Sequence, residues 1–264
     1  MERLTASIVL YDADRSLLRA TVASLVLAGR EAGVAVDLFL VDNGGSAAAL
    51  DALPFPGDWR LQVLSGHGNV GFGRGHNLCI EAVGPWHLIL NPDLELAPDA
   101  LREALAFMRE HPECGLLAPS AHWDDGRVQY LCKRKPAVLD LFLRGFAPGW
   151  LRRRFVSRLA RYELQDLIGG GEHVVWDPPL ASGCCMFFRS SVLRQLRGFD
   201  PRFFLYFEDF DLSLRAGAVS RIAYVPKVRV VHHGGHAARK GWRHIGMFVR
   251  GAALFYRIHG WRWW

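Results

Sequence analysis

Short runs rich in β-branched and aliphatic residues recur along the first 120 residues, at Thr5–Leu10, Val36–Val41, Leu61–Leu64, Trp86–Leu90 and Gly115–Pro119, and predict strands. Helical periodicity fills the gaps at Ser16–Ala28, around Gly75–Val83, and from about Pro98 to Glu110, the last with a proline in its first turn. Such a βαβ series predicts an α/β fold, a mainly parallel sheet with helices on both faces. Beyond residue 120 the pattern loosens: Asp124-Asp125-Gly126 reads as a hairpin turn, and Leu139–Leu164, broken by Pro148 and Gly149, as a mobile loop or a surface helix. Ser182–Phe188 and Ala223–Val231 then read as strands, the second with an internal Pro226, and Ser190–Leu196 and Glu208–Ala216 as helices.

With 264 residues, half of them hydrophobic and 22% charged, the chain can bury a sizeable core and is expected to form one domain over residues 1–239 with a basic helix at 240–264. No window reaches the roughly 18 apolar residues of a spanning helix, so neither a signal peptide nor a membrane span is expected. Five cysteines (Cys79, Cys114, Cys132, Cys184, Cys185) without C-x-x-C spacing suggest neither a disulfide framework nor a zinc site, which fits a reducing cytoplasm. The net charge of +6 is unevenly spread. Residues 133–161 hold nine Lys/Arg against one Asp, residues 227–264 hold eight against no acid, and the remainder is net acidic. A basic face of this kind suits an anionic partner such as nucleic acid, lipid or a phosphorylated substrate. The basic segments match no nucleic-acid-reading motif and their aromatics sit at helical spacing, so no nucleic acid is expected.

In an open α/β sheet, ligands sit at the carboxyl ends of the parallel strands. Here those ends are polar: Tyr11-Asp12, Asp42-Asn43, the glycine-rich run Gly66–Gly75, and Asn91-Pro92-Asp93. Any one of them alone is an ordinary cap or turn; four on one rim make a site. Gly66, Gly68 and Gly71 spell G-x-G-x-x-G, but after the third strand instead of the first, with Asn91 and Asp93 as the nearest equivalents of the acidic residue expected about 20 positions on, which disfavours a dinucleotide. Asp93, on a proline-stiffened turn, suits a hard cation that keeps positions for diphosphate and water. Glu208, Asp209 and Asp211 follow an aromatic block from Phe203. They read either as favourable charges in a helix's first turn or as a general base whose pKa is raised by apolar surroundings. His232 and His233, at a strand end, read as an exposed pair or as a metal or diphosphate contact.

The ordered set Ser7–Tyr11, Val41-Asp42-Asn43, Asn69–Asn77, Leu90–Asp93, Ser182-Gly183, Gly198-Phe199-Asp200, Phe204–Asp211 and Val231-His232 resembles the family 2 glycosyltransferases of bacteria, nearest their rhamnosyltransferase-like branch. The resemblance implies a GT-A fold, a nucleotide-sugar donor (dTDP- or UDP-linked), Mg²⁺ or Mn²⁺, and inverting transfer to a hydroxyl. The sugar it implies is a deoxyhexose such as L-rhamnose. The acceptor would be a cell-surface polysaccharide, a lipopolysaccharide or a lipid-linked glycan made at the inner face of the cytoplasmic membrane. Carried over by position, Tyr11, Asp42 and Asn43 would bound the base and ribose, and Asn69, Gly71 and Asn77 would lie along the nucleotide and diphosphate. Asp93, with Asn91 in the first place of the family's D-x-D, would hold the metal, and His232 would be a further ligand. Asp209 would be the base, supported by Glu208 and Asp211, while Ser182 and Gly183 would border the donor sugar and acceptor. Asn91, Asp12 and Ala237 depart from the family pattern. A binding scaffold without catalysis and a sugar nucleotidyltransferase are the competing readings; the region Tyr11–Ser16 lacks the glycine-rich, basic loop of the latter.

In the last segment Arg239, Arg243, Arg250 and Arg257 share one helical face, opposite Ile245, Phe248, Ala252, Phe255 and Tyr256, and Trp261, Trp263 and Trp264 follow. This helix is expected either to lie on an anionic membrane or to pack its apolar face on the core.

Overall fold

In the computed structural model, which describes residues 2–44, 55–169, 172–234 and 242–264, β1 (Glu2–Leu10) runs between two parallel neighbours, β2 (Val34–Asp42) and β4 (Trp86–Leu90). It is buried from Leu4 to Leu10, as a strand covered on both faces must be. Outside β2 lies β3 (Arg60–Leu64), also parallel. Beyond β4 the sheet continues through β9 (Cys185–Arg189), β6 (Cys114–His122), β10 (Arg221–His232) and the short β5 (Leu94–Leu96). β9 is antiparallel to both β4 and β6, whereas β6 and β10 are parallel. Two short strands, β7 (Val128–Gln129) and β8 (Val175–Trp176), pair antiparallel with β6 and β10. The turn at Asp124-Asp125-Gly126 joins β6 to β7 as expected, with Gly126 at φ 80°. Pro226, which cannot donate to a ladder, is absorbed by a register shift between Val225 and Arg229.

Helices cover both faces. α1 (Arg15–Glu31) starts where the Asp14 carboxylate accepts from Ser16 N (2.8 Å) and Leu17 N (3.1 Å). With α3 (Ala100–Glu110) it buries Leu18, Val22, Leu25, Leu101, Leu105 and Met108 against Leu4, Ile8 and Leu88. The helix expected around Gly75–Val83 begins earlier, as α2 (Phe72–Asn77) followed by a 3₁₀ turn at Ile80–Ala82. Gly71, at φ 89°, turns the chain so that Phe72 N donates to Phe204 O (3.1 Å), which fixes that earlier start. Residues 139–164 form three short helices, α4 (Val138–Gly145), α5 (Gly149–Arg154) and α6 (Val156–Tyr162), with the break at Pro148. After α7 (Gln165–Ile168) and α8 (Ser190–Gln195), α9 (Glu208–Gly217) brings Leu212 and Ala216 onto the second face.

The last helix, α10 (Trp242–His259), turns its apolar face inward. Phe255 and Tyr256 are fully buried in a cluster with Leu141, Phe203 and Phe207, with Phe248 and Ala252 packed alongside. The apolar stripe expected in the sequence therefore faces the protein from Phe248 onward, while Ile245 is exposed. Arg239 and Ala237 lie outside the described residues.

Side chains alternate across the sheet, so β1 presents Thr5 and Ser7, not leucines, to the α2 side. There a buried chain of hydrogen bonds runs from the sheet to α2. Thr5 Oγ1 donates to Trp86 O (3.0 Å), so its contact with His87 Nδ1 (2.9 Å) has the imidazole as donor. His87 Nε2 must then accept from Ser7 Oγ (2.9 Å), and Ser7 Oγ accepts from His76 Nδ1 (2.7 Å). Every tautomer follows from one backbone carbonyl. Burial pushes both imidazoles down to about 3, so both are neutral, which this proton order requires. Ser7→Ala would strand a buried nitrogen on each histidine and is expected to cost about 1–3 kcal/mol in denaturant unfolding; an unchanged midpoint and slope would show that the chain is not under this constraint.

Candidate active site

The carboxyl ends of β1, β2, β4, β6 and β10 all lie along one edge of the sheet. Because β9 runs the other way, the segment that starts it, Ser182-Gly183-Cys184, arrives at the same edge. Leu90 pairs with Cys185, and Asn91 N donates to Cys184 O (2.8 Å). This geometry gathers most of the residues singled out in the sequence.

At the β2 end Asp42 and Asn43 are buried. Asp42 Oδ1 accepts from Gly44 N (3.1 Å), while Asn43 donates to Gly71 O (3.0 Å) and accepts from His67 Nε2 (3.0 Å). Asn69 Oδ1 in turn accepts from Gly71 N (3.0 Å), so the strand end and the glycine-rich loop hold one another. A side chain at Gly71 would run into Phe204. Tyr11 stands exposed at the rim, against Gly44. Asn77 is placed differently from expectation. Its amide donates to Phe199 O (2.8 Å) and accepts from Phe199 N (2.9 Å), so both ends tie α2 to the 198–200 turn instead of facing a diphosphate.

At the β4 and β10 ends Asp93 Oδ1 lies 3.5 Å from His232 Nε2, too long for a good hydrogen bond, and both atoms are buried without a hydrogen-bond partner. Gln129 Nε2 donates to His232 O (2.8 Å), which turns its Oε1 to accept from His232 Nδ1 (2.9 Å). The Nδ1 proton is thereby assigned, and Nε2 presents a lone pair to a carboxylate oxygen. Two electron-rich atoms face to face are stable with a cation between them or a second proton on the ring. A Cβ at Gly234 would fill this space, within 2.9 Å of His232 Nε2. Burial pushes the Asp93 carboxyl up, but with the second proton on the ring His232, together with the Asp93 backbone and Asn91, outweighs that and holds it below the usual carboxylate range. Among the described residues no cluster of three or more such side chains exists, so a cation here would rely on diphosphate and water for its other ligands. The residues fit a hard divalent ion in that open mode.

The third part lies at the start of α9. Asp209 Oδ2 accepts from Gly183 N (2.9 Å) and Oδ1 from Phe210 N (2.9 Å), and the residue is half-buried. Glu208 is buried, and its Oε2 has no partner. Burial, then the charge of Asp209, pushes Glu208 up to about 8. Burial raises Asp209 as well, against the two backbone donors and Lys133. One negative charge on the pair therefore settles on Asp209. Asp211 does not join them. Fully buried, it receives Arg215 Nε (2.8 Å) and His259 Nε2 (2.8 Å) and fastens α9 to α10.

Two residues went unmarked in the sequence. Gln129 carries no signal beyond its place just after the hairpin turn. Lys133 hides in the basic run Lys133-Arg134-Lys135, which reads as solvated, yet it is buried, donates to Tyr130 O (2.8 Å) and favours ionised Asp209. Burial, with Arg144, pushes its ammonium down to about 7.

Residues 5–197 match glycosyl transferase family 2. The N-acetylglucosaminyl-diphospho-decaprenol L-rhamnosyltransferase of Mycobacterium tuberculosis is 27% identical over 248 residues, covering 87% of this chain and 77% of that one. The rhamnosyltransferase WbbL of Escherichia coli K12 is 27% identical over 189 residues, 68% of this chain and 66% of that one. The crystal structure of GalNAc-T7 with UDP, GalNAc and Mn²⁺ superposes with a TM-score of 0.66 at 14% identity, covering 98% of this chain and 48% of that one. This chain thus spans about half of that structure, and the likeness is one of fold, the GT-A architecture anticipated from the motifs. With a match over most of its length, the chain belongs to glycosyl transferase family 2 and is a glycosyltransferase.

Proposed function

We propose that this enzyme transfers a deoxyhexose such as L-rhamnose from a dTDP- or UDP-sugar to a hydroxyl of a lipid-linked glycan, lipopolysaccharide or cell-surface polysaccharide, with inversion. The observation that carries the mechanism is the asymmetry of the carboxyl pair: Asp209 receives two backbone N–H groups and is only half-buried, whereas Glu208 is buried without a partner at Oε2. The sugar and the acceptor class are supported by the names of the mycobacterial and Escherichia coli relatives. A membrane-presented acceptor places the work at the inner face of the cytoplasmic membrane.

In this reading Tyr11, Asp42 and Asn43 bound the base and ribose, and Asn69 and Gly71 shape the loop over the nucleotide. Asp93 and His232, with Asn91 orienting the carboxylate, would hold Mg²⁺ or Mn²⁺, which when bound supplies positive charge against the leaving diphosphate. Ser182 and Gly183 border the donor sugar, and Gly183 N fixes the Asp209 carboxylate. Asp209 takes the proton of the acceptor hydroxyl as its oxygen bonds to the anomeric carbon and the bond to the diphosphate breaks. One displacement inverts that carbon. Glu208 keeps its proton, so no second charge opposes ionised Asp209, and Lys133 supports that ionised state.

Asp209→Asn is expected to retain nucleotide binding and lower turnover by about 10²–10⁴-fold; wild-type turnover, measured as nucleoside diphosphate release, would move the base elsewhere. Asp93→Ala is expected to weaken both donor binding and turnover, and excess EDTA to abolish activity that Mn²⁺ or Mg²⁺ restores. Full activity in EDTA would reject the cation.

The third expectation concerns stability. Glu208 binds its proton up to about pH 8 when folded and up to about 4.5 when unfolded, so the folded state holds the extra proton between those values. Its contribution is complete below the lower value and is lost as the pH rises to the upper one. Glu208→Gln should flatten this decline in urea unfolding across the same window, and parallel curves for the two proteins would contradict a protonated Glu208.

A further inference from the structure

We propose that the face built by α4, α5, α6 and residues 260–264 lies on an anionic lipid bilayer. Phe142, Phe146, Trp150 and Val156 are 47–66% exposed along these three helices, and α4 touches both α5 and α6. Residues 260–264 extend the same face. The carbonyls of Arg262 and Trp263 accept from Val138 N (2.8 Å) and Leu139 N (3.3 Å) at the start of α4, Trp261 stacks on Tyr256 and Trp263, and Trp263 and Trp264 are exposed. Lys135 binds the carbonyl of His259, closing the seam from the other side. Monomers seldom leave so many large apolar side chains exposed together.

The charge around them chooses the partner. Arg152, Arg153 and Arg154 are exposed among the aromatics, as is Arg144, which pairs with Glu163 (3.6 Å) just beyond α6. The one acid of residues 138–162, Asp140, is buried and already receives Arg158 and Ala137 N, and residues 242–264 contain no acid. Amphipathic indole rings and snorkelling arginines around apolar side chains are the chemistry of a lipid headgroup boundary with negative charge. No helix among the described residues is long and apolar enough to cross a membrane, so contact would be peripheral. This surface deepens the proposal of a membrane-presented acceptor and rests on it for its purpose. Vesicle binding and nucleoside diphosphate release are independent readouts, so either can fail alone.

The test is sedimentation of the full chain with vesicles of mixed phosphatidylglycerol and phosphatidylcholine, or of phosphatidylcholine alone. Binding is expected to the first only, weakened by salt through screening. Phe146→Ser with Trp150→Ser, and separately Arg152→Glu, Arg153→Glu and Arg154→Glu together, should each lower binding at least about tenfold, a basic residue near an anionic surface being worth about fivefold. Arg30→Glu, Arg60→Glu and Arg102→Glu together change the net charge equally but lie elsewhere, and should bind as wild type. All of these exchange exposed side chains, and unchanged thermal melts verify folding. Recovery of wild type in the supernatant with both vesicles, wild-type binding by the patch variants, or equal loss in the control triple would each overturn the proposal. So would a concentration-dependent dimer that the Phe146→Ser, Trp150→Ser pair disperses without any vesicle binding, which would assign the face to a second copy.

Discussion

The hydrogen bond from Gly183 N to Asp209 Oδ2 joins two parts of the chain 26 residues apart, and the rest of the site is arranged around it. It can form because β9 enters the sheet against the direction of β4 and β6. A parallel strand in that place would put its start at the far edge and leave Asp209 without a donor. The small residue suits this close approach, since a Cβ at Gly183 would lie 3.1 Å from both Asp209 Cβ and Phe72 Cε1 and one of them would have to shift. Antiparallel entry thus brings together the glycine-rich loop, the β4 end and the α9 turn.

The turn that presents Asp209 is strained, and its support comes from far along the chain. Tyr206 and Phe207 adopt φ of 73° and 68°, conformations that cost about 1–3 kcal/mol each in a residue with a Cβ. Phe207 is held by Phe248 and Phe255 of α10, Tyr206 bonds His244 (2.9 Å), and Gly251 lets α10 approach the Tyr206 carbonyl closely. His259, at the far end of the same helix, grips Asp211. The apolar face of α10 is therefore a brace for the site, which is why the lipid-facing role falls to α4–α6 and the segment after α10.

What could be read from the sequence divides along the same physical line. Strand ends and their polar residues were legible because alternation and burial are local properties, and Asp42, Asn43, Asp93, Gly183 and Asp209 all reach one edge. Side chains whose meaning depends on a distant partner were not. Asn77 looks like a ligand contact until Phe199, 122 positions away, occupies its amide, and Asp211 looks like part of an acidic cluster until His259 takes it. Lys133 was hidden by its charged neighbours, since nothing in a run of cations tells which one is buried. The amphipathic pattern of the last helix was correctly periodic, but periodicity cannot say what the apolar face packs on.

The glycine-rich loop shows how buried polarity serves the same edge. α2 sits close to the sheet and to the 198–200 turn: a Cβ at Gly75 would meet Val9 within 2.8 Å, and one at Gly73 would meet Phe199 within 2.7 Å. Such close approach leaves little depth for large apolar side chains beneath the helix, and the space is filled by Ser7, His76 and His87. Their hydrogen bonds are directional where leucines would slide, so the helix is registered on β1 and β4 by proton order as well as by shape. Phe72 begins that helix and Gly71 precedes it, so the polar chain beneath the helix also fixes where the loop meets Phe204 and, through Phe72, Gly183.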